Sequence, residues 1–334
     1  MTMQLAGNLP LGAAVVFFVS FSATYWIMPY LIRKLSAAGL VGGDMHKKGC
    51  PQIPNIGGLG IAVGFIAGIL AAVGMYTFLG LDVNLTHILI GFITVLIMAL
   101  VGIFDDLFDM RQSVKAVLPV FAALPLMAIS AGSTTMVIPF VGPVDFGFWY
   151  VVVLVPLGVT VASNLTNMLA GFNGLESGLG AIMAGTVAFI AFTQLGVNSG
   201  AGNALLLMAA MCGALVAFTK FNWFPAKVFP GDVGTLVVGA SIASAVIVGN
   251  MEAAGAILVV PHALDFFIKM RHGLPKTFGK LRGDKLVCPK EGAKGLGQLI
   301  MKRTGGLSEK RLVLILLLVE LLFALISIKL FAVF

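Results

Sequence analysis

The sequence predicts an all-α polytopic membrane protein, with about ten transmembrane helices and both termini outside. Three observations predict it. Of 334 residues, 59% are hydrophobic and only 10% charged, with a mean hydropathy of +1.04. A soluble domain carries roughly 45–50% apolar and 25% charged residues, so a water-soluble enzyme is excluded. Apolar stretches recur at about the 20-residue length that crosses a bilayer. The basic residues gather in alternate loops, as they do where positive charge sets orientation.

The apolar stretches fall at 11–32, 57–79, 86–104, 115–132, 148–166, 178–196, 203–219, 233–249, 252–268 and 312–333. The first ten residues hold no Lys or Arg, whereas Arg33 and Lys34 follow the first stretch directly. That is the reverse of the basic-then-apolar order of a signal peptide and places the N-terminus outside. Cytosolic loops then fall at 33–56, 105–115, 163–177, 220–232 and 269–311, and they contain every Lys and Arg but Lys329. Shifting the topology by one span destroys this asymmetry. Residues 134–147, with Pro139, Gly142, Pro143 and Gly147, can form a small β-hairpin on the outer face. The chain reads as one integral membrane domain, 1–334, with a basic cytosolic loop at 269–311. That loop carries twelve basic and three acidic residues. The overall +7 charge is explained by these loops, so no nucleic-acid partner is expected. Cys50, Cys212 and Cys288 lie far apart, without a Cys-x-x-Cys pair, and suggest neither a disulfide framework nor a thiolate metal site.

Carboxylates beside a membrane are costly and usually have a task. At the inner end of the third span stand Asp105, Asp106 and Asp109, with Arg111 and Lys115 just beyond. If the helix continues, Asp105 and Asp109 share a face. Clustered carboxylates repel one another unless a cation or lysine compensates, as in a Mg²⁺-dependent phosphate site; the plainer alternative is a solvated loop ending a helix. The fifth span runs into Asn164, Asn167, Gly171, Asn173, Gly174, Glu176 and Gly178. Asn164 and Asn167 are three apart and would project to one side of a helix, where their amides can bind a metal-held phosphate or a nucleotide. The glycines suit a phosphate-cradling turn, or an ordinary capped loop.

A third cluster, Phe229-Pro230-Gly231-Asp232, opens the eighth span. Asp232 stands where an N-cap belongs, and a helix N-terminus also suits a phosphate to which Asp232 could bring Mg²⁺. Phe229 can stack on a base or anchor the chain at the membrane interface. Gly57-Gly58-Leu59-Gly60, opening the second span, forms either a turn against substrate or a helix-packing surface. His262 and Asp265, three apart in the ninth span, form either a buried pair or a substrate contact. The 269–311 loop either marks topology and attracts anionic lipid or clamps a diphosphate. His46 and His87 fit no ligand spacing, and Glu320 has no partner evident in sequence.

In order and residue type, Phe104-Asp105-Asp106 with Lys115, Asn164 to Gly178, and Phe229-Pro230-Gly231-Asp232 resemble the polyprenyl-phosphate N-acetylhexosamine-1-phosphate transferase family, most closely its archaeal and eukaryotic dolichyl-phosphate branch. Bacterial members usually carry Asp-Gly-x-Asp-Gly-Leu where this chain has Ala170-Gly171-Phe172-Asn173-Gly174-Leu175-Glu176, which favours that branch. The bacterial His-rich motif is missing from the last cytosolic loop. Arg271-His272-Gly273 stands in place of the eukaryotic Arg-His-Arg.

The resemblance implies transfer of a sugar-1-phosphate, GlcNAc-1-phosphate from UDP-GlcNAc, to dolichyl or another polyprenyl phosphate, with release of UMP. It implies Mg²⁺, or Mn²⁺ in its place, a homodimer, and a site on the cytosolic face. Asp105 and Asp106 match the essential pair, and Lys115 a lysine beside it. Asp232 matches the metal ligand, and Asn167 a metal-shell or pyrophosphate contact. Asn173 and Phe229 match uridine-binding positions, while Asn164, Glu176, Arg271 and His272 complete the substrate-contact candidates. The alternative from another class is a transporter or flippase for a lipid-linked sugar or an ion. That reading leans on Glu320, His262 and Asp265, because transporters place their coupling residues near the midplane.

Overall fold

Apolar stretches surrounded by lipid must satisfy their backbone groups internally, and helices do so. The computed structural model of the protein describes residues 9–129, 133–138 and 141–333. In chain order these form α1 (Leu9–Ala37), β1 (Val41–Gly43), β2 (Gln52–Pro54), α2 (Gly58–Leu79), α3 (Leu85–Phe108), α4 (Gln112–Ala122) and α5 (Leu124–Ala128). Next come β3 (Thr135–Ile138), β4 (Gly142–Asp145), α6 (Val155–Met168) with a π-helical lead-in at Tyr150–Leu154, α7 (Leu175–Thr193), α8 (Ala201–Asn222) and α9 (Gly231–Val248). The chain closes with α10 (Glu252–Leu258), α11 (Val260–Met270), β5 (Lys280–Arg282), β6 (Lys285–Val287), α12 (Leu296–Thr304) and α13 (Glu309–Phe331).

Among the described residues, eight helices are long and apolar enough to cross a membrane, and the bent pair α10–α11 makes nine. The protein is thus an all-α polytopic membrane protein. Two of the ten expected spans are interrupted, and proline accounts for both. The expected fourth span is the shorter run α4–α5, where Pro125 lacks the N–H that would continue the helix past Ala123. The ninth bends by 54° at Val259, just before Pro261.

Leu9 lines a recess with Asp82, Asn84, His87, Asn198 and Asn250. The carbonyl of Phe331, at the other end of the chain, accepts from Gln194 Nε2 2.9 Å away, in the α7–α8 loop that lines the same recess. The two ends of the described chain therefore share one end of the bundle. β3 and β4 pair antiparallel, Thr135 opposite Asp145 and Ile138 opposite Gly142. The turn of the expected 134–147 hairpin, residues 139–140, lies outside the described residues.

The bundle is organised around α9. Every residue from Val233 to Val248 is buried, as expected of a helix that is apolar on all sides. It packs against α2, α3, α6, α7, α8 and α10. Small residues permit this crowding. A Cβ on Gly102 of α3 would lie 2.3 Å from Val233 Cα, and one on Gly58 of α2 would lie 2.2 Å from the Gly234 nitrogen. A Cβ on Gly239 of α9 itself would meet the Ala162 carbonyl oxygen of α6 at 2.5 Å. In lipid, where neighbouring tails are as apolar as leucine, such close backbone approach is a main source of helix association. Of the two readings of Gly57 to Gly60, the packing surface is the one the structure contains. Gly57 and Gly58 donate backbone hydrogen bonds to Phe229 and Pro230, at 2.8 and 2.7 Å.

The long polar segment 269–311 is folded. β5 and β6 pair antiparallel, and Leu286 bridges to Leu307 just before α13. Within it, Gln298 of α12 donates to the Phe278 carbonyl at 2.8 Å, and Glu309, accepting the Asn173 N–H at 2.7 Å, fastens the segment onto the same end of the bundle as Asp105 and Asp232.

Candidate active site

Three α-helical termini and the start of α4 converge at this end. The centre is Lys115, whose ammonium pairs with Asp105 Oδ2 and with Asp232 Oδ2, the latter at 2.8 Å. Asp105 is almost wholly buried, its side chain 1% exposed, whereas Asp232 is 28% exposed and presents its carboxylate to the open side. Asn167, at the end of α6, adjoins Asp232, and its Oδ1 accepts from Thr235 Oγ1 at 2.9 Å. Asp105, Asp106, Lys115, Asn167 and Asp232, singled out in sequence, thus form one constellation. Thr235, which sequence reasoning missed, is its inner support: its hydroxyl is also within reach of the Gly231 and Asp232 carbonyls.

Asp106 has a task that its sequence does not reveal. Its two carboxylate oxygens accept the backbone N–H groups of Asp232 and Val233, each at 3.0 Å. The first turn of a helix leaves four N–H groups without partners, and Asp106 caps two of them from another helix. This revises the reading of Asp232 as N-cap: Pro230 holds the cap position, Asp232 lies in the first turn, and its carboxylate is free to face Lys115. Two N–H groups at the α9 terminus are thereby withheld from any phosphate. Gly231 makes the contact possible, since it adopts φ +68 and a Cβ there would lie 2.5 Å from Asp106 Oδ2. Asp106→Ala is expected to lower stability by about 1 kcal/mol through loss of this cap, read as a fall in the melting temperature of detergent-solubilised protein.

Asp109 does not share a face with Asp105. The helix stops at Phe108, and Asp109 takes the left-handed cap conformation, φ 47, with its N–H on the Asp105 carbonyl. Asn164 and Asn167 also part company. The Asn164 amide donates to the Thr160 carbonyl at 2.9 Å and to Ala116 of α4 at 3.4 Å, while Asn167 turns to α9.

Asn173 anchors a second cluster. Its backbone N–H donates to Glu309 Oε1 at 2.7 Å, its Nδ2 to Asp44 Oδ2 at 3.2 Å, and its Oδ1 accepts from Ala226 N–H at 2.8 Å. Lys47 pairs with Glu309 and with Asp44, the latter at 3.3 Å, so its ammonium occupies the space between the carboxylates. His46, given no role in sequence, stacks on Phe172 at 4.8 Å and accepts the Gly279 N–H on Nε2 at 3.3 Å. Its partners come from positions far along the chain, and no local spacing signals them. Burial holds the His46 imidazole below its ordinary value of 6.5, against the opposing pull of Glu309 and Asp44. The unfolded chain therefore takes up a proton that the folded chain resists, so stability falls as pH drops below about 6.5. Melting temperatures between about pH 7.5 and about pH 5 are expected to fall less steeply in His46→Gln than in the parent.

Phe229 is half-buried beside Gly42 of β1, with its N–H on the Pro54 carbonyl at 2.8 Å. Glu176 lies in the first turn of α7, and its Oε1 accepts from Gly171 N–H of the α6–α7 loop at 2.7 Å. Arg271 and His272 are exposed in the turn after α11. The expected His262–Asp265 pair is replaced by two others. His262 faces Glu320 of α13, with 3.8 Å between Nδ1 and Oε2, and Asp265 faces Lys269 at 2.6 Å. The α11–α13 contact that gives Glu320 a neighbour is not written in either local sequence.

The centre fits a divalent cation. Asp105, Asp106 and Asp232 set three carboxylates against the single ammonium of Lys115, an excess of negative charge that a low-dielectric site tolerates poorly. Asp232, far more open than Asp105, and the Asn167 carbonyl oxygen offer the hard oxygen donors that Mg²⁺ prefers.

Fold and centre together define a polytopic helical membrane protein with an acidic, lysine-bridged site at one end of its bundle. The chain matches the profile of glycosyl transferase family 4 over residues 88–250, a range that holds every member of this centre. A relative from Saccharolobus solfataricus is 38% identical over 316 residues, 94% of each chain, and one from Sulfolobus acidocaldarius is 33% identical over 98% of this chain and 97% of its own. Both are provisionally named UDP-N-acetylglucosamine–dolichyl-phosphate N-acetylglucosaminephosphotransferase. A Dictyostelium discoideum protein bearing that name without qualification is 27% identical, over 91% of this chain and 85% of its own. The chain belongs to glycosyl transferase family 4.

Proposed function

We propose that this protein transfers GlcNAc-1-phosphate from UDP-GlcNAc to dolichyl or another polyprenyl phosphate, releasing UMP and forming a lipid-linked sugar. The observation that carries the reaction class is the Lys115-bridged Asp105 and Asp232 beside Asn167. The names of the relatives carry the substrates. The site is assigned to the cytosolic face, because the loops at its end of the bundle hold every Lys and Arg but Lys329.

In this reading an oxygen of the lipid phosphate attacks the β-phosphorus of UDP-GlcNAc, and the bond from that phosphorus to the UMP oxygen breaks. Asp232 and Asn167 would hold Mg²⁺, or Mn²⁺ in its place, and the ion would supply positive charge to the phosphates of the donor. Lys115 fixes Asp232 and offsets Asp105, and Asp106 fixes the first turn of α9 that carries Asp232. The attacking phosphate oxygen is already anionic, so the site has little need of a strong base. Direct in-line attack is favoured over an aspartyl-phosphate. Phe229, Asn173, Asn164, Glu176, Arg271 and His272 are the substrate-contact candidates, and a homodimer is the expected assembly.

Transfer of radiolabelled GlcNAc-1-phosphate from UDP-GlcNAc into extractable dolichyl phosphate tests the proposal. Label is expected in lipid with Mg²⁺ and not with EDTA, and UMP is expected to appear in equal amount. A phospho-enzyme trapped by UDP-GlcNAc alone, with UMP released without lipid, would overturn direct attack. The transporter reading retains one observation, the buried Glu320 whose carboxylate has no hydrogen-bond partner among the described residues. Activity lost in Glu320→Gln and kept in Asp232→Asn would bring that reading forward.

A further inference from the structure

Lys269 is buried in the last turn of α11, and its ammonium is in contact with groups from two helices. It pairs with Asp265 Oδ2 one turn earlier, at 2.6 Å, and it donates to the Met168 carbonyl at the end of α6. The last carbonyls of a helix lack intrahelical partners and carry the negative end of its dipole, so an ammonium there both caps and stabilises it. Met168 follows Asn167 directly. Asp265, in turn, accepts the Leu296 N–H on Oδ1 at 2.7 Å and so caps the start of α12, which has no side-chain cap of its own. Gly295 permits that approach, since a Cβ there would lie 3.0 Å from Asp265 Oδ1. From α12, Gln298 holds the Phe278 carbonyl, and the Phe278 ring lies 3.1 Å from where a Gly171 Cβ would stand. The 168–176 loop is thus gripped at Met168 and again at Gly171, both times by residues of α11 and the 269–311 segment.

We propose that Lys269 and Asp265 are positioning residues for phosphoryl transfer, which register the α6 terminus carrying Asn167, and the basic segment, against Asp232. The proposal rests on the functional reading above. A salt bridge whose only purpose was stability would be a poor device here, because desolvation offsets most of the Coulomb gain of a buried pair. This pair instead spends its remaining hydrogen bonds on two helix ends, one of them next to Asn167.

The test compares purified Lys269→Met, Lys269→Arg and Asp265→Asn with the parent in Mg²⁺ titrations of the transfer assay and in amide hydrogen exchange. Lys269→Met is expected to lower kcat about 10- to 100-fold, as a misplacement of about 1 Å can. It should raise the Mg²⁺ needed for half-maximal rate about tenfold, with KM for UDP-GlcNAc within about twofold of the parent. Exchange should quicken at 165–176 and 294–300 and stay unchanged in α8 and α9. Lys269→Arg, which keeps charge and donors, should recover most of the Mg²⁺ response. Parent values of kcat and Mg²⁺ response in Lys269→Met would overturn the proposal, as would uniformly faster exchange across all helices. If Lys269→Met does not accumulate, Asp265→Asn decides by the same readings. If the parent itself transfers nothing, the functional reading fails, and exchange that stays at parent rates at 165–176 in Lys269→Met would separately overturn the grip on the loop.

Discussion

Asp232→Asn is expected to reduce GlcNAc-1-phosphate transfer by about 10³-fold or more while leaving the protein folded. The substitution keeps shape but removes the charge on a partly open carboxylate of the centre, the one paired to Lys115 at 2.8 Å. Phosphoryl transfer depends on electrostatic stabilisation of charge spread over the transferring group, and removing a single preorganised group from such a site costs about 10²–10³ in rate. A lost metal ligand adds to that. The backbone N–H of residue 232 still meets Asp106, so α9 keeps its cap and the melting temperature should move little. The check is the radiolabel assay over a range of Mg²⁺, with a melt of the same preparation. Excess Mg²⁺ is expected to recover only a small part of the rate, because the lost charge is itself part of the site.

Gly102→Ala, at a buried position between α3 and α9, is expected to lower both stability and activity. The added methyl carbon would meet Val233 Cα at 2.3 Å and the Val233 nitrogen at 2.7 Å. These are backbone atoms of a helix buried on every side, and they cannot turn away as a side chain can. The two helices must separate, which typically costs about 1–3 kcal/mol for overpacking. The same shift draws Asp105 and Asp106, three and four residues along α3, away from Asp232 and the N–H groups that Asp106 caps. A displacement near 1 Å is enough for about a 10²-fold loss of rate. Melting temperature and kcat should therefore fall together. In Asp232→Asn they should separate.

The spans and the main constellation were legible because their signals are local. A run of about 20 apolar residues announces a membrane helix whatever it packs against, and carboxylates at the ends of such runs stand out against lipid. What remained hidden was which groups meet across the fold. Asp106 reads as one of a catalytic pair, and only the approach of α3 to α9 shows that both its oxygens are committed to the Asp232 and Val233 N–H groups. The 105–109 pairing failed because α3 ends one residue before Asp109, a boundary that lies within the usual uncertainty of helix ends. His46 lay outside any motif because Phe172, Gly279 and Glu309 reach it from three distant segments. The continuous spans expected at 115–132 and 252–268 were interrupted at Pro125 and Pro261, residues that the apolar run concealed.

The buried position of α9 bears on how the protein is made. Among the described residues, five helices packed closely on it, α2, α3, α6, α7 and α8, precede it in the chain, and α10 follows. Its own stretch, rich in Gly, Ala, Ser and Thr and bearing Asp232, is a modest candidate for entering lipid alone. During synthesis it emerges to find five of its neighbours already threaded, and it can leave the insertion machinery into a groove of protein. Asp106 and Lys115 are waiting at the mouth of that groove, so the step that seats the central helix of the bundle also brings the three carboxylates together. A defect in early helices should be felt first as failure to integrate the eighth apolar stretch.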